Sequence, residues 1–244
     1  MEVHHHSRTP RNKWAHYFWE FFMLFLAVTL GFIVENWREH RIELKREKKF
    51  IQSLSRDFQA DTARLHLFQL RRLLKIQQCD SLIYQLSHPG ATADNSFIYY
   101  TARRISRRDH FYPLDATLQQ LKGVSGFRVI HSQEVLDSIS AYEILLKLNN
   151  ENIEVEEKEL TEYTDKAAKI FNVNVFQEIT KENDIKRPEG NPSLLTHDPI
   201  AINELCIKLH YWKRTSLTIV EGLTRLQSSA KNLVALIKEK YHLK

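Results

Sequence analysis

The feature that most constrains this chain is an apolar stretch near its N-terminus, residues 17–34, with the sequence YFWEFFMLFLAVTLGFIV. It contains a single charged residue and, as an α-helix, is about 27 Å long. The hydrocarbon core of a bilayer is about 30 Å thick, so the stretch fits once its aromatic ends are included. Trp14 and Trp19 lie near one end and Trp37 lies at the other, as interfacial aromatic anchors do. We therefore predict a transmembrane helix over residues 17–37, in contact with a lipid bilayer.

A core helix or a signal peptide could also give an apolar stretch in this position. A helix buried in a soluble core is conceivable because the strictly uncharged run covers only residues 21–34. Such a helix has no reason to carry Trp at both ends. A cleaved signal peptide would need a small-residue cleavage motif, which is missing, and helix-forming sequence follows directly. We expect the segment to persist as an anchor.

One face of the predicted span carries small and polar residues. Steps of four, three, four and four along the helix place the following residues on that face: Glu20, Leu24, Ala27, Gly31 and Glu35. The Ala27 and Gly31 pair would let another helix approach closely, so this face is a candidate helix-packing surface. The alternative is that Glu20 lies at the interface and extends its carboxylate to water.

The charges that flank the span leave its orientation open. The short basic N-terminal tail, residues 1–16, carries Arg8, Arg11 and Lys13. Six bases follow the span and would by count keep the C-terminal part in the cytoplasm, but they alternate with glutamates. Long domains also translocate largely regardless of charge, so the tail favours a C-terminal domain on the outer, periplasmic side.

The sequence after the span predicts a long helix, the stalk segment, over residues 38–88. Neither Gly nor Pro occurs between Asn36 and Leu86, and the first turn cluster is SHPGATADNS, residues 87–96. A straight helix here would project up to about 75 Å. An apolar stripe at helical spacing runs along it: Ile51, Leu54, Phe58, Leu65, Phe68, Leu73, Ile76, Ile83 and Leu86.

Two more long amphipathic helices are predicted in residues 89–244. One begins after Ser132, and the other begins at Asp198 and Pro199, an N-cap followed by a proline in the first turn. With only 6 Gly and 6 Pro, the chain has few positions for the turns of a β or doubly wound fold. We predict an all-α protein in which a transmembrane helix continues into the stalk and an antiparallel helical bundle packs on it. Residues 172–197 are predicted to be an exposed connector.

Motifs that carry chemistry are absent from the sequence. It has no GxGxxG, P-loop, HExxH, CxxC or GxSxG pattern, so we expect no enzymatic activity, no cofactor and no metal site. The net charge of +5 is modest, and we expect no nucleic-acid partner. The histidines at 4–6 are explained by a mobile tail, and Asp57 and Asp61 by surface ion pairing. Two cysteines far apart in sequence can form a disulfide or remain as buried thiols, and thiols are the simpler expectation.

The strongest local anomaly is an arginine cluster, Arg103, Arg104, Arg107 and Arg108. Spacing of one and four groups these side chains on one side of a helix, where they suit a phosphate, a carboxylate or an acidic partner. The alternative is a solvated face paired with glutamates of the bundle. The cluster is the candidate binding patch of the chain.

Two segments resemble an uncharacterised family of single-span membrane proteins found in Bacteroidota. FFMLFLAVTLGFIVENWREH with REKKFIQSLSRDFQADT is similar to its N-terminal signature, and FYPLDATLQQLKGVSGFRVIHSQEVLDSISAYE to its recurring block. The resemblance covers most of the chain outside residues 172–197. It implies a single-pass protein of the bacterial inner membrane with a helical domain, and it assigns no functional residues.

Two classes of function follow from these observations. The first is a membrane-anchored scaffold or interaction protein that docks to a membrane or envelope partner or to copies of itself. The second is a sensory or small-anion-binding module that signals through a partner's membrane span, since the tail before the span is too short to be an output domain.

Overall fold

A computed structural model of the chain describes residues 13–88, 90, 93–124, 129–181 and 184–243. The predicted tail histidines lie outside these residues. The chain divides into two units, residues 1–50 and 51–244. The described helices and strands are, in order, α1 (Lys13–Ser87), α2 (Asn95–Ile105), α3 (Ala116–Val124), α4 (Gln133–Ala167), α5 (Val173–Ile179), β1 (Thr180–Lys181), β2 (Asp184–Ile185) and α6 (Pro199–Lys240).

The described part of the first unit is helical and lies within α1. No side chain of residues 14–46 is buried, and the apolar window of this helix is long and apolar enough to cross a membrane by length and composition. Apolar side chains such as Phe32 (74% exposed) and Leu24 (69% exposed) have no core to enter in the described chain. Residues 14–46 of α1 therefore do not belong to a core formed by the described residues.

The second unit is a bundle of three long helices, formed by residues 51–87 of α1 with α4 and α6. Side-chain contacts give the directions of the helices. Phe58 packs edge-on against Tyr142 with ring centroids 4.8 Å apart, and Arg72 pairs with Glu156, so α1 and α4 run parallel. Helix α6 runs antiparallel to both: its contacts with α1 descend along the chain from Gln227 to Cys206 while those of α1 ascend from Thr62 to Ser87. The predicted all-α fold with a helical bundle is confirmed.

The core lies along the facing stripes of these three helices. Nine apolar side chains of α6 at helical spacing are buried, as the sequence predicts: Leu205, Leu209, Trp212, Ile219, Leu223, Leu226, Ala230, Leu233 and Ile237. Burying one Leu or Phe side chain contributes about 1.5–3 kcal/mol, so stripes of this length hold the bundle together. In α1, Leu73 is 40% exposed and does not belong to the stripe, because Arg72 takes the buried position beside it.

The connections between the long helices account for these directions. Helices α2 and α3 form a crossover that lets α4 begin at the same end of the bundle as residue 51 of α1. At the start of α4, Ser132 caps the helix by accepting a hydrogen bond from the Val135 amide. Helix α6 begins at the predicted cap, where Asp198 accepts from two backbone amides and Pro199 follows.

The segment between α4 and α6 corrects one prediction. Residues 172–197 were predicted to be an exposed connector, but they include α5 and a small antiparallel ladder of β1 and β2. Ile179, Ile185 and Leu194 are buried in the core cluster at 2%, 7% and 8% exposure. The prediction is wrong for these residues because their apolar side chains close the end of the bundle beside α2.

Candidate functional site

A buried ion pair joins the three long helices of the bundle. The guanidinium of Arg72 on α1 donates to both carboxylate oxygens of Glu156 on α4, with N–O distances of 2.6 and 2.7 Å. On α6, the Ser216 hydroxyl donates to the same carboxylate. Arg72 is 4% exposed and Glu156 is 8% exposed, so each buried charge is compensated by the other.

The arginine extends this contact to the loop after α2. Its second terminal nitrogen also donates to the backbone carbonyl of Asp109 at 3.2 Å. Nearby, Arg71 pairs with the Asp109 carboxylate at 3.4 Å, and the Lys75 amine donates to the Arg107 carbonyl. Three contacts from one turn of α1 therefore hold residues 107–109 in place.

An open cleft of about 440 Å³ lies beside this loop, between α1, α2 and β2. We call it the cationic cleft. Five basic side chains line it: Arg71, Lys75, Arg104, Arg107 and Arg108. Among the described residues, two carboxylates, Asp109 and Asp184, line it as well, so positive charge is in excess over this part of the chain. A smaller cavity shares the loop residues and extends inward to Glu156 and Trp212.

The position of Lys75 disfavours the charged, ammonium form of its side chain. Burial and, to a smaller extent, the nearby Arg72 guanidinium lower the pKa of Lys75 to about 8, against the opposing effect of Asp109 and Glu156. An anion in the cleft would compensate this concentration of positive charge.

The structure brings three of the four predicted arginines to the cleft. Arg104, Arg107 and Arg108 line it, whereas Arg103 does not and donates instead to the Ser106 hydroxyl at 2.9 Å. The prediction that all four share one helical face is wrong for Arg107 and Arg108, because α2 ends at Ile105. The two arginines reach the cleft from the loop instead.

Arg104 and Arg108 do not show the glutamate pairing that is the alternative, as far as the described residues go. Arg104 stacks over the Tyr100 ring, 5.2 Å from its centroid, and donates to the Tyr100 hydroxyl. Within the described residues, neither Arg104 nor Arg108 forms an ion pair with a carboxylate. Their positive charge remains available to a ligand.

The residues that sequence reasoning missed are those contributed by α1. Arg71, Arg72 and Lys75 were not singled out, because a basic residue on a long charged helix gives no distinct pattern. A signal was present for Arg72: helical spacing leads to it from Phe58 through Leu65 and Phe68, which makes it a charged residue at a core position.

Asp61 differs from the surface pairing that was predicted for it. It is 1% exposed, and both of its carboxylate oxygens accept a hydrogen bond from the Leu114 amide, at 3.1 and 2.9 Å. Arg64 pairs with it at 3.0 Å. Burial raises the pKa of Asp61, which these hydrogen bonds partly oppose. Asp61 anchors the crossover loop to α1.

No described residue covers the predicted helix-packing face of the span. Glu20, Leu24, Ala27, Gly31 and Glu35 all lie in α1 and are exposed, and a Cβ added at Gly31 would meet nothing within 4 Å.

The predicted aromatic anchors at the ends of the span are exposed as well. Trp14, Trp19 and Trp37 are 85%, 61% and 59% exposed. The Arg41 guanidinium lies 4.9 Å from the Trp37 ring centroid, at the charged end of the span. The carboxylate of Glu20 lies 3.2 Å from the His16 ring nitrogen one turn earlier.

The two cysteines are buried free thiols. Burial raises the pKa of the Cys79 thiol to about 12, so this thiol is unreactive at neutral pH. Within the described residues, no group of three or more His, Cys, Asp or Glu side chains could hold a metal ion.

Comparison of the chain with protein-family models, with curated proteins and with solved structures found no match. Its membership of the Bacteroidota family that it resembles stays a prediction.

Proposed function

We propose that this protein is a membrane-anchored, non-enzymatic scaffold of the bacterial cell envelope whose bundle associates with a second copy of the chain. The observation that carries the proposal is an uncovered apolar seam on α1. Steps of three and four, the spacing of a coiled-coil seam, join its residues: Ala60, Ala63, Leu67, Leu70 and Leu74. All are exposed, with Leu67 and Leu74 at 57% each, and they lie on the side of α1 that faces away from the core stripe.

A second apolar stripe on α4 is a matching surface for the seam. Ile144, Leu148 and Val155 are 60%, 51% and 47% exposed. The parallel packing of α1 and α4 pairs Phe58 with Tyr142 and, fourteen residues on, Arg72 with Glu156, so the seam and the stripe lie at the same level of the bundle. Two copies standing side by side in one orientation would bring seam and stripe together without an axial shift.

Charged residues flank both surfaces. Arg64 and Arg71 lie next to the seam, and exposed residues of both signs lie within and beside the stripe: Glu151, Glu154, Lys147 and Lys158. A contact between the α1 seam of one copy and the α4 stripe of the next can therefore form pairs of opposite sign, whereas two seams facing each other would oppose arginine to arginine. Such an interface is head-to-tail and propagates into rings or arrays.

Anchoring in one bilayer supports this arrangement, since it gives every copy the same orientation and raises the local concentration of copies. The uncovered Ala27 and Gly31 face would add a contact between spans. The resemblance to single-span Bacteroidota proteins supports the bacterial inner membrane, and the basic tail favours a periplasmic bundle.

Cross-linking between two tagged copies of the full chain in native membranes tests the proposal. One copy carries Leu70→Cys and the other carries Val155→Cys. By the register that pairs Phe58 with Tyr142, these two positions differ by one residue in height along the bundle. We expect a disulfide-linked dimer on mild oxidation, because the buried native thiols do not compete.

A matched control replaces Val155→Cys with Arg214→Cys, which is exposed on α6 outside the stripe. Equal cross-linking in both pairs, or none in either together with a monomeric mass in detergent, would contradict self-association. A monomer that co-purifies with another envelope protein would instead favour a different partner on the seam.

The cationic cleft favours a second candidate function, a small-anion-binding module that signals through a partner's membrane span. Its support is the excess of basic over acidic side chains lining the cleft. Calorimetric titration with small anions separates the two candidates, because the scaffold function requires no ligand.

A further inference from the structure

We propose that the cationic cleft binds a phosphomonoester, an organic molecule that carries a terminal phosphate and a hydroxyl or N–H group. This inference rests on the small-anion alternative given above and names its ligand. It is carried by the charge of the cleft, its volume and one orphaned polar atom on its wall.

The charge of the cleft matches a dianion better than a single carboxylate. Among the described residues, five basic side chains from α1, α2 and the loop after α2 line the cleft, together with two carboxylates. Asp109 pairs with Arg71 at 3.4 Å, whereas Arg104 and Arg108 form no ion pair within the described residues. A phosphomonoester carries a charge of about −1.5 to −2 at neutral pH and three acceptor oxygens, which several separate donors can share. A monocarboxylate has one charge and two oxygens, so it could not neutralise both Arg104 and Arg108.

The volume and composition of the cleft favour an organic phosphate over inorganic phosphate. Its volume of about 440 Å³ falls in the range of pockets for small organic ligands. Leu74, Ile185 and the Tyr100 ring give it an apolar wall beside the cationic one. The phosphate would lie among the arginines and the organic part of the ligand would contact this wall.

A buried acceptor on the wall has no partner. The side-chain oxygen of Gln78, which lines the cleft, is buried without a hydrogen bond from any described residue. A buried unpaired carbonyl oxygen is unfavourable, so a ligand hydroxyl or N–H would gain affinity when the Gln78 side chain rotates to turn this oxygen into the cleft. The Tyr100 hydroxyl accepts from Arg104, which leaves its own proton to donate to the ligand.

Lys75 provides an internal reporter of binding. The charged groups that face its amine from α1, α2, the loop and α4 are Arg72, Arg104, Asp109 and Glu156. With a pKa of about 8, the amine is largely neutral one unit above that value. A phosphate dianion beside it favours the charged form, so binding at that pH takes up a proton.

Titration calorimetry on the full chain in detergent tests the inference, with ribose 5-phosphate, inorganic phosphate and citrate as probes. We expect ribose 5-phosphate to bind at least about tenfold more tightly than either of the others. Heats measured in two buffers of different ionisation enthalpy should show proton uptake above the pKa of Lys75, and Lys75→Met should abolish the uptake. Titration of short-chain phosphatidic acid in the same detergent separates a lipid phosphomonoester from a soluble one, since tighter binding of this lipid than of ribose 5-phosphate identifies the lipid.

Matched variants separate the cleft from general charge. Arg108→Gln, at an exposed cleft residue, should weaken binding of ribose 5-phosphate at least about tenfold, and Arg56→Gln, at an exposed α1 residue outside the cleft, should not. Equal affinity for citrate and ribose 5-phosphate would overturn the phosphomonoester inference while leaving an anion site. Equal weakening by both variants, or no binding of any probe, would overturn the inference and the small-anion alternative together, and the scaffold proposal would stand.

Discussion

Removing Glu156 tests how the buried ion pair holds the three long helices. In Glu156→Ala, the Arg72 guanidinium loses two charge-assisted hydrogen bonds, of 2.6 and 2.7 Å, and keeps only weaker contacts to Asp109 and Ser216. Because Arg72 is 4% exposed, water cannot replace the lost carboxylate without opening the bundle. Leaving one charge of a buried pair uncompensated typically costs about 3–5 kcal/mol.

A double variant separates the cost of one unpaired buried charge from the contribution of the ion pair itself. Replacing both partners, as Arg72→Met with Glu156→Leu, removes the desolvated charges and supplies apolar side chains of similar length. Such replacements are often neutral or stabilising. We expect the double variant to lie within about 1 kcal/mol of the native chain or above it, so the two changes should be strongly non-additive.

Urea unfolding of the full chain in detergent, followed by far-ultraviolet circular dichroism, measures these differences. With a denaturant slope of about 3 kcal/mol per molar, Glu156→Ala should lower the midpoint by about 1 to 1.7 M. A loss below about 1 kcal/mol in the single variant, or equal losses in the single and double variants, would refute the claim that the pair is a buried, interdependent unit.

Three further predictions concern packing, the loop anchor and pH. A Cβ at Gly222 would lie 2.5 Å from the side-chain oxygen of buried Asn149, so Gly222→Ala should lower the free energy of unfolding by about 1–3 kcal/mol. In an Asn149→Ala background the same change should be neutral or stabilising, and a loss there would contradict the clash. Asp61→Ala should speed hydrogen exchange at the Leu114 amide roughly tenfold or more, since that amide loses its carboxylate acceptor; unchanged exchange would rule out the anchor. Burial lowers the pKa of Lys75 to about 8, so the folded chain binds fewer protons than the unfolded chain between that pH and the ordinary lysine pKa. The free energy of unfolding of the native chain relative to Lys75→Met should therefore rise across this window, and a constant difference would refute the perturbed lysine.

The long helices could be predicted from the sequence because each carries its own signals. Helix α6 has a start signal at Asp198 and Pro199 and an unbroken apolar stripe, and its bounds follow from them. The absence of Gly and Pro between Asn36 and Leu86 likewise predicts an unbroken helix over this part of α1, and the prediction needs no knowledge of the elements that pack against it. Signals of this kind are local, so one sequence contains them.

The cleft could be predicted only in part because it depends on which turns of separate helices meet. Arg104 was recognisable as one of a cluster, but its neighbours Arg71 and Lys75 come from α1, about thirty residues earlier in the chain. The burial of Ile179 at the end of α5 and of Ile185 in β2 escaped prediction for a related reason. Isolated apolar residues in a polar segment have no period, and their burial follows from the end of the bundle that they cover.

Alkaline extraction of native membranes tests whether residues 17–37 anchor this helical bundle in a bilayer. We expect the intact chain to stay in the membrane fraction after washing at high pH, because an apolar helix of this length is held by the hydrocarbon core rather than by charge. Release of the chain into the wash, or recovery of a soluble form that has lost the apolar segment, would contradict it.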